Sequence, residues 1–205
     1  MAGEDNENGG GYLCDPPCLS GAFCAHYRQG WLEGVMIIII NGSLGVGKTS
    51  VAEHLTTKFN RAVHLDGDAI GDVHPFTIYD EVRITHLYRT LAHLIAFHQK
   101  NGYPNFVINY VFESHTSLQK LLDLLRPLDN DVQAYWLTCR AEEQEKRIRA
   151  RRRDQIGWEL ERFVELQEIQ SKAAEKGFIG EEVDTTGLSA EEVAERIWRM
   201  VDDGF

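Results

Sequence analysis

The eight residues GSLGVGKT, Gly42 to Thr49, match the pattern G-x-x-x-x-G-K-[ST] at every fixed position. They follow VMIIIIN (35–41), a continuous apolar, β-branched run of the kind that is buried on both faces of a parallel sheet. They precede TSVAEHLTTKF (49–59), which has helical spacing. In such a strand–turn–helix the glycines let the backbone curl, so that successive N–H groups point at phosphate oxygens and the helix N-terminus adds its positive end. The segment Gly42, Ser43, Leu44, Gly45, Val46, Gly47, Lys48, Thr49 and Ser50 therefore predicts a phosphate cradle for a nucleoside triphosphate. Lys48 is expected to reach the β- and γ-phosphates, and Thr49 to offer its hydroxyl to Mg²⁺.

The rest of the chain alternates strand and helix. AVHL (62–65) reads as a short strand, with HLDGDAIGDVHP running out of it as a loop. DEVRITHLYRTLAHLIAFHQKNG (80–102) reads as a helix, with Ile84, Leu87, Leu91, Leu94 and Ile95 as its apolar stripe and Asn101-Gly102 as its stop. NFVINYVF (105–112) predicts the third strand and SLQKLLDLL (117–125) the next helix. VQAYWLT (132–138) predicts a fourth strand, and helices follow over 141–153 and 158–177. EEVDTTG (181–187) holds a short fifth strand, and a helix over 188–201 carries Ser189 and Glu192 as a capping box. Phe163, Leu166 and Ile169, like Leu188, Val193, Ile197 and Val201, read as core-facing positions. This alternation predicts an α/β fold, a mostly parallel sheet with helices on both faces.

At 205 residues the chain has the length of about one domain, with 43% hydrophobic and 26% charged residues. Residues 1–34 read as a flexible extension and 35–205 as the working domain; Met36, just before the first strand, is a candidate start of the functional chain. The extension holds Cys14, Cys18, Cys24 and His26 in the spacing C-x3-C-x5-C-x-H. Those are soft ligands for zinc, but the spacing matches no established signature; free thiols are the expectation and a metal site stays open. A net charge of −11 argues against nucleic acid as a partner. No apolar run reaches membrane-spanning length, and no basic-then-apolar leader opens the chain, so the expectation is a cytoplasmic protein, monomer or homodimer.

The remaining polar residues narrow the chemistry. No Asn/Thr-Lys-x-Asp element marks a guanine-specific switch protein, and the third strand ends in NYVFES rather than in the acidic pair of a motor ATPase. Asp66 and Asp68, one residue apart after the second strand, point the same way on an extended backbone. Asp68 is the candidate base that orients or deprotonates an acceptor, and Asp66 the candidate metal-side carboxylate acting with Thr49. Arg147, Arg149, Arg151, Arg152 and Arg153 crowd one helix end; Arg147 and Arg151 share a face and suit an arginine-rich lid at about 147–158. His74, Tyr79, Arg83, Asn109, Tyr110 and Glu113 are the residues placed to line an acceptor pocket. Together these residues predict transfer of a γ-phosphate from ATP to a small-molecule hydroxyl, with hydrolysis as a regulatory switch as the alternative reading.

GSLGVGKTS, LDGDAI, the apolar third strand, WLTCRAEEQEKRIRARRR and DTTGLSAEEVAERI resemble the small-molecule and nucleotide kinase branch of the P-loop proteins, over most of residues 36–200. The likeness extends to chloramphenicol phosphotransferase, the tunicamycin-resistance proteins, shikimate kinase and gluconate kinase. It implies a three-layer α/β/α fold with five parallel strands in the order 2-3-1-4-5, Arg147 and Arg151 in the lid, and DTTGLS near the adenine. As in shikimate kinase, the first acid of Asp-x-Asp would serve the metal and the second the acceptor hydroxyl. FTIYDEVRITH after His74-Pro75 departs from the gluconate kinase pattern.

Overall fold

The computed structural model describes residues 35–129, 131–151 and 154–202. The cysteine-rich extension, Arg152 and Arg153 lie outside the described residues.

Strand β1 (Met36–Gly42) is buried along its whole length, as its unbroken isoleucine run requires of a central parallel strand. It is flanked by β3 (Asn105–Asn109) on one side and β4 (Val132–Thr138) on the other; β2 (Ala62–Asp66) lies outside β3, and β5 (Glu181–Asp184) outside β4. Every pairing is parallel, and the order β2-β3-β1-β4-β5 is the one expected. Register aligns Ile40 with Asn109 and Asn109 with Asp66, so β2 and β3 end on one row and β1 runs two residues past it to Gly42. Strand order reverses at β1, and the crevice outside the carboxyl ends of such a sheet is where ligands sit.

Two cores sandwich the sheet. On one face, Ile38 and Ile40 pack with Val51 and Leu55 of α1 (Lys48–Thr56) and Val193, Ile197 and Val201 of α7 (Ala190–Asp202). On the other, Ile37 and Ile39 meet Leu87, Leu91 and Ile95 of α3 (Glu81–Lys100) and Leu118 and Leu121 of α4 (His115–Leu125). Each fully buried side chain of this kind contributes about 1.5–3 kcal/mol. Helices α5 (Ala141–Ala150) and α6 (Ile156–Lys176) pack against each other, and Ile148 of α5 lies against Gly45 in the loop after β1. Among the described residues no helix is long and apolar enough to cross a membrane.

Several boundaries differ from the sequence reading. β3 stops at Asn109, because Tyr110 leaves the ladder after donating its N–H to Ile40, 3.2 Å away. β5 stops at Asp184, whose carboxylate takes the Thr186 N–H and starts a turn. The stripe of α6 is Glu159, Arg162, Phe163, Leu166, Gln170 and Ala173, so half of its buried face is polar; Ile169 is only half-buried. The Ser189–Glu192 capping box forms as expected.

Candidate active site

The phosphate loop leaves β1 and enters α1 at Gly47, which adopts φ 100° and ψ 17°. A Cβ at Gly47 would meet nothing within 4 Å, so the left-handed backbone alone selects glycine there. At Gly45 (φ +82°) space decides as well, since a Cβ would lie 2.6 Å from Ile148 Cγ1 of α5. Gln144, also on α5 and 1% exposed, donates its amide to Ser43 Oγ and to the Leu44 carbonyl. The loop is thus held from outside by α5.

Lys48 donates to the Ser43 carbonyl at 3.1 Å and is 8% exposed. Burial pushes its ammonium down from 10.5 to about 8; Arg151 adds to the fall, while Asp68 and Asp66 oppose it. These four charges share one neighbourhood. The Thr49 hydroxyl lies 3.5 Å from Asp66 Oδ2 and 3.5 Å from the Asn109 amide, whose oxygen is bonded to His64.

The two acids reach this place by a route other than strand alternation. Asp66 is the N-cap of a short turn of helix, α2 (Gly67–Ile70), and its Oδ1 accepts from the N–H groups of Asp68 at 2.8 Å and Ala69 at 3.3 Å. Asp68 therefore sits in a helical first turn, which corrects the extended geometry expected from sequence; a local Asx cap outcompetes the strand. Asp66 is left with Oδ2 facing Thr49. A hydroxyl beside one carboxylate is the hard-oxygen pair that a phosphate-bound Mg²⁺ takes, its other ligands being waters and phosphate oxygens. Among the described residues no group of three His, Cys, Asp or Glu side chains is placed to hold a metal by itself.

Arg147 and Arg151, expected to act together on phosphates, have different surroundings. Arg147 donates to the Thr185 carbonyl at 2.9 Å, to Thr185 Oγ1 at 3.1 Å, and to Leu188 and Val46 carbonyls, and pairs with Glu143. It ties α5 to the phosphate loop and to the turn after β5. Val46, Gly47, Ser50, Arg147, Thr185 and Leu188 line a cavity of about 190 Å³ there, large enough for part of a nucleobase. Arg151, exposed at the end of α5, is the arginine whose charge acts on Lys48.

On the other side of Asp68, Arg83 is 6% exposed and donates to the carbonyls of Thr77, Ile78 and Gly71, with the Phe76 ring 4.6 Å from its guanidinium. It frames the 71–80 loop and hydrogen-bonds Tyr110. His74 is joined to Pro75 by a cis peptide in that loop. Glu113, at the tip beyond β3, forms an ion pair with Arg162 of α6; burial raises its carboxyl and Arg162 opposes the rise. Arg162 also binds Glu165 at 2.5 Å and the Tyr79 hydroxyl at 2.9 Å.

Sequence reasoning assigned α6 to architecture and so missed Arg162 and Gln170. Gln170 donates to Asn41 Oδ1 at 3.1 Å and the Phe112 carbonyl at 3.0 Å, while Asn41 also accepts from the Gly42 and Phe112 N–H groups and donates to Ile179 O at 2.9 Å. A charged residue four after Trp158 and four before Leu166, on the apolar stripe itself, was the readable signal for Arg162.

The fold has counterparts among known proteins. No curated protein sequence matches the chain. Among solved structures, the tunicamycin resistance protein of Deinococcus radiodurans is similar at 20% identity and TM-score 0.56, over 82% of this chain and 95% of that one. Shikimate kinase of Acinetobacter baumannii is similar at 19% identity and TM-score 0.58, over 84% and 95%. A sugar kinase of a Janibacter species gives 18% identity and TM-score 0.58, over 82% and 95%. At such identities the likeness establishes a shared fold, that of the P-loop kinases. A family model described as an AAA domain matches residues 37–178, more than half the sequence and the whole span from β1 past α6, so this chain belongs to the AAA domain family.

Proposed function

We propose that the protein is an ATP-dependent phosphotransferase that moves the γ-phosphate onto a hydroxyl of a small molecule. The observation that carries this reading is the placement of Asp68, in the first turn of α2 and near enough to Lys48 for its charge to act on that ammonium. A chain that only bound Mg·nucleotide would use one carboxylate at the metal, the part Asp66 is suited to, whereas a second one beside the phosphates would only repel them.

In this reading residues Gly42 to Ser50 cradle the phosphates, Lys48 meets the β- and γ-oxygens, and the base enters the cavity beside Arg147 and Thr185. Thr49 and Asp66 Oδ2 would hold Mg²⁺, which supplies charge neutralisation at the phosphates. Asp68 accepts the proton of the acceptor hydroxyl as its oxygen bonds to the γ-phosphorus, and the bond to the bridging oxygen breaks to release ADP. Arg151 covers the moving phosphate. Tyr79, Tyr110 and Glu113 face the acceptor, with His74 and Arg83 shaping the loop beside it; Asn109, expected there from sequence, is fully buried between Thr49 and His64 and stands behind them.

The test is a panel of hydroxyl compounds with Mg·ATP, reading ADP release and phosphorylated product by mass. Asp68→Asn is expected to bind ATP within a few-fold of wild type and to lose transfer by at least about a hundredfold, the lower range for a general base. ADP release that needs no acceptor and that no added compound diverts would overturn the assignment in favour of hydrolysis.

A further inference from the structure

The acceptor side of the site carries a record of charge. From Asp68 the wall runs to Tyr110, on whose hydroxyl the charges of both Asp68 and Glu113 act, then to Glu113 and on to Arg162, Tyr79 and Glu165. Among the described residues, two cations belong to this wall. Arg83 directs its nitrogens at three backbone carbonyls and at Tyr110, and Phe76 covers one face of its plane. Arg162, with only 8% of its side chain exposed, has one terminal nitrogen on Glu113 and the other on Glu165 and Tyr79. Neither guanidinium presents the open pair of N–H groups that binds a carboxylate or phosphate in fork geometry.

An anionic acceptor would have to displace Glu113 or Glu165 from Arg162 and then rest beside the carboxylate it displaced, with Asp68 close by. Like charges so juxtaposed are a repulsive element against one ligand class, and specificity is often built that way. Resting on the phosphotransferase reading above, we propose that the acceptor is a hydroxyl compound of zero or positive charge, and that the Arg162–Glu113–Glu165 cluster rejects acids. Phe76 and Tyr79, 54% and 61% exposed, each have one face toward a guanidinium and offer the other to the C–H face of such a molecule.

The experiment uses the full chain with Mg·ATP and compounds matched except in charge: glucose, glucosamine and gluconate, and shikimate with its methyl ester. The expected result is that the best substrate in each set is neutral or amino-bearing, with kcat/KM at least about tenfold above the acid, a factor that like-charge contact near a protein surface readily supplies. An acid as the best substrate overturns this inference while leaving the transferase assignment standing. Product from no compound overturns both. Glu113→Gln releases one side of Arg162 and is expected to shift the acid-to-neutral ratio of kcat/KM at least about fivefold toward the acid; Glu165→Gln, at a half-exposed position, is expected to shift it the same way by less. An unchanged ratio in both variants, each first shown to melt cooperatively, refutes the role given to the cluster, because a merely structural loss would lower turnover of both charge classes alike.

Discussion

Lys48 makes nucleotide affinity depend on pH. Its ammonium is buried in the nucleotide-free protein and titrates at about 8, whereas a bound triphosphate stabilises the charged form and raises that value. Binding therefore requires the proton, and the apparent dissociation constant scales as one plus the deprotonated-to-protonated ratio of the free site. That ratio is about 0.1 at pH 7 and about 10 at pH 9, so affinity falls about tenfold across the interval. Titration of a fluorescent, non-hydrolysable ATP analogue with Mg²⁺ at constant ionic strength reads it directly. Lys48→Arg keeps its charge over this range and is expected to give a flat profile at whatever affinity it retains. Folding stability moves the opposite way. The folded value lies below the unfolded 10.5, so between about 8 and 10.5 the unfolded chain binds more protons and stability rises with pH. The gap amounts to about 3 kcal/mol. Lys48→Met, without nucleotide, is thus expected to exceed wild type by up to that amount at pH 7 and to lose the advantage by pH 10.5 in urea unfolding. A wild-type affinity that stays constant from pH 7 to 9, with a Lys48→Met stability difference that also stays constant, would refute the reasoning.

Two further substitutions test how the loop and its neighbours are built. Gly45→Ala combines a left-handed backbone with a contact at 2.6 Å to Ile148; a loss of about 2–4 kcal/mol by urea unfolding is expected, together with weaker nucleotide binding, and a loss under about 1 kcal/mol would mean that α5 yields freely. Asp66→Asn keeps an oxygen to cap α2 but removes the charge facing Thr49. Stability is expected to change by less than about 1 kcal/mol while the Mg²⁺ concentration for half-maximal activity rises, whereas Asp66→Ala adds a cap loss of about 1 kcal/mol; equal Mg²⁺ requirements in wild type and Asp66→Asn would remove Asp66 from the metal site.

The strands, the phosphate loop and the helix after it were legible because their causes are local, whereas the sheet order followed from the resemblance to the P-loop kinases. The isoleucines of β1 declare a strand buried on both faces, and GSLGVGKT declares its turn and the helix after it. What stayed hidden depends on partners far along the chain. Arg162 meets Glu113 across 49 residues, and Asn41 meets Ile179 across 138, so neither residue's own surroundings in sequence announce its role. Arg147 shows the limit in another way: its spacing from Arg151 predicts one shared helix face, yet Arg147 is taken up by Thr185 and Leu188 while the charge of Arg151 acts on Lys48, and only tertiary packing separates them. Asp66 and Asp68 were singled out by residue type; Asp66 is extended as expected and Asp68 is not, since the choice between strand and cap turns on two hydrogen bonds of about 1 kcal/mol each.

Helix α6 is fastened at two points. Gln170 holds it to Asn41 and Phe112, at the root of the phosphate loop, and Arg162 holds it to Glu113 and Tyr79, at the far wall. The two anchors are eight residues apart, about 12 Å along the axis. Such a beam resists both sliding and tilting, with about a turn and a half of helix extending beyond the anchors at each end. A substitution at either anchor would therefore act at a distance, because Glu113 and Tyr79 at one end and the strand end that shapes the phosphate loop at the other are surveyed from the same rod.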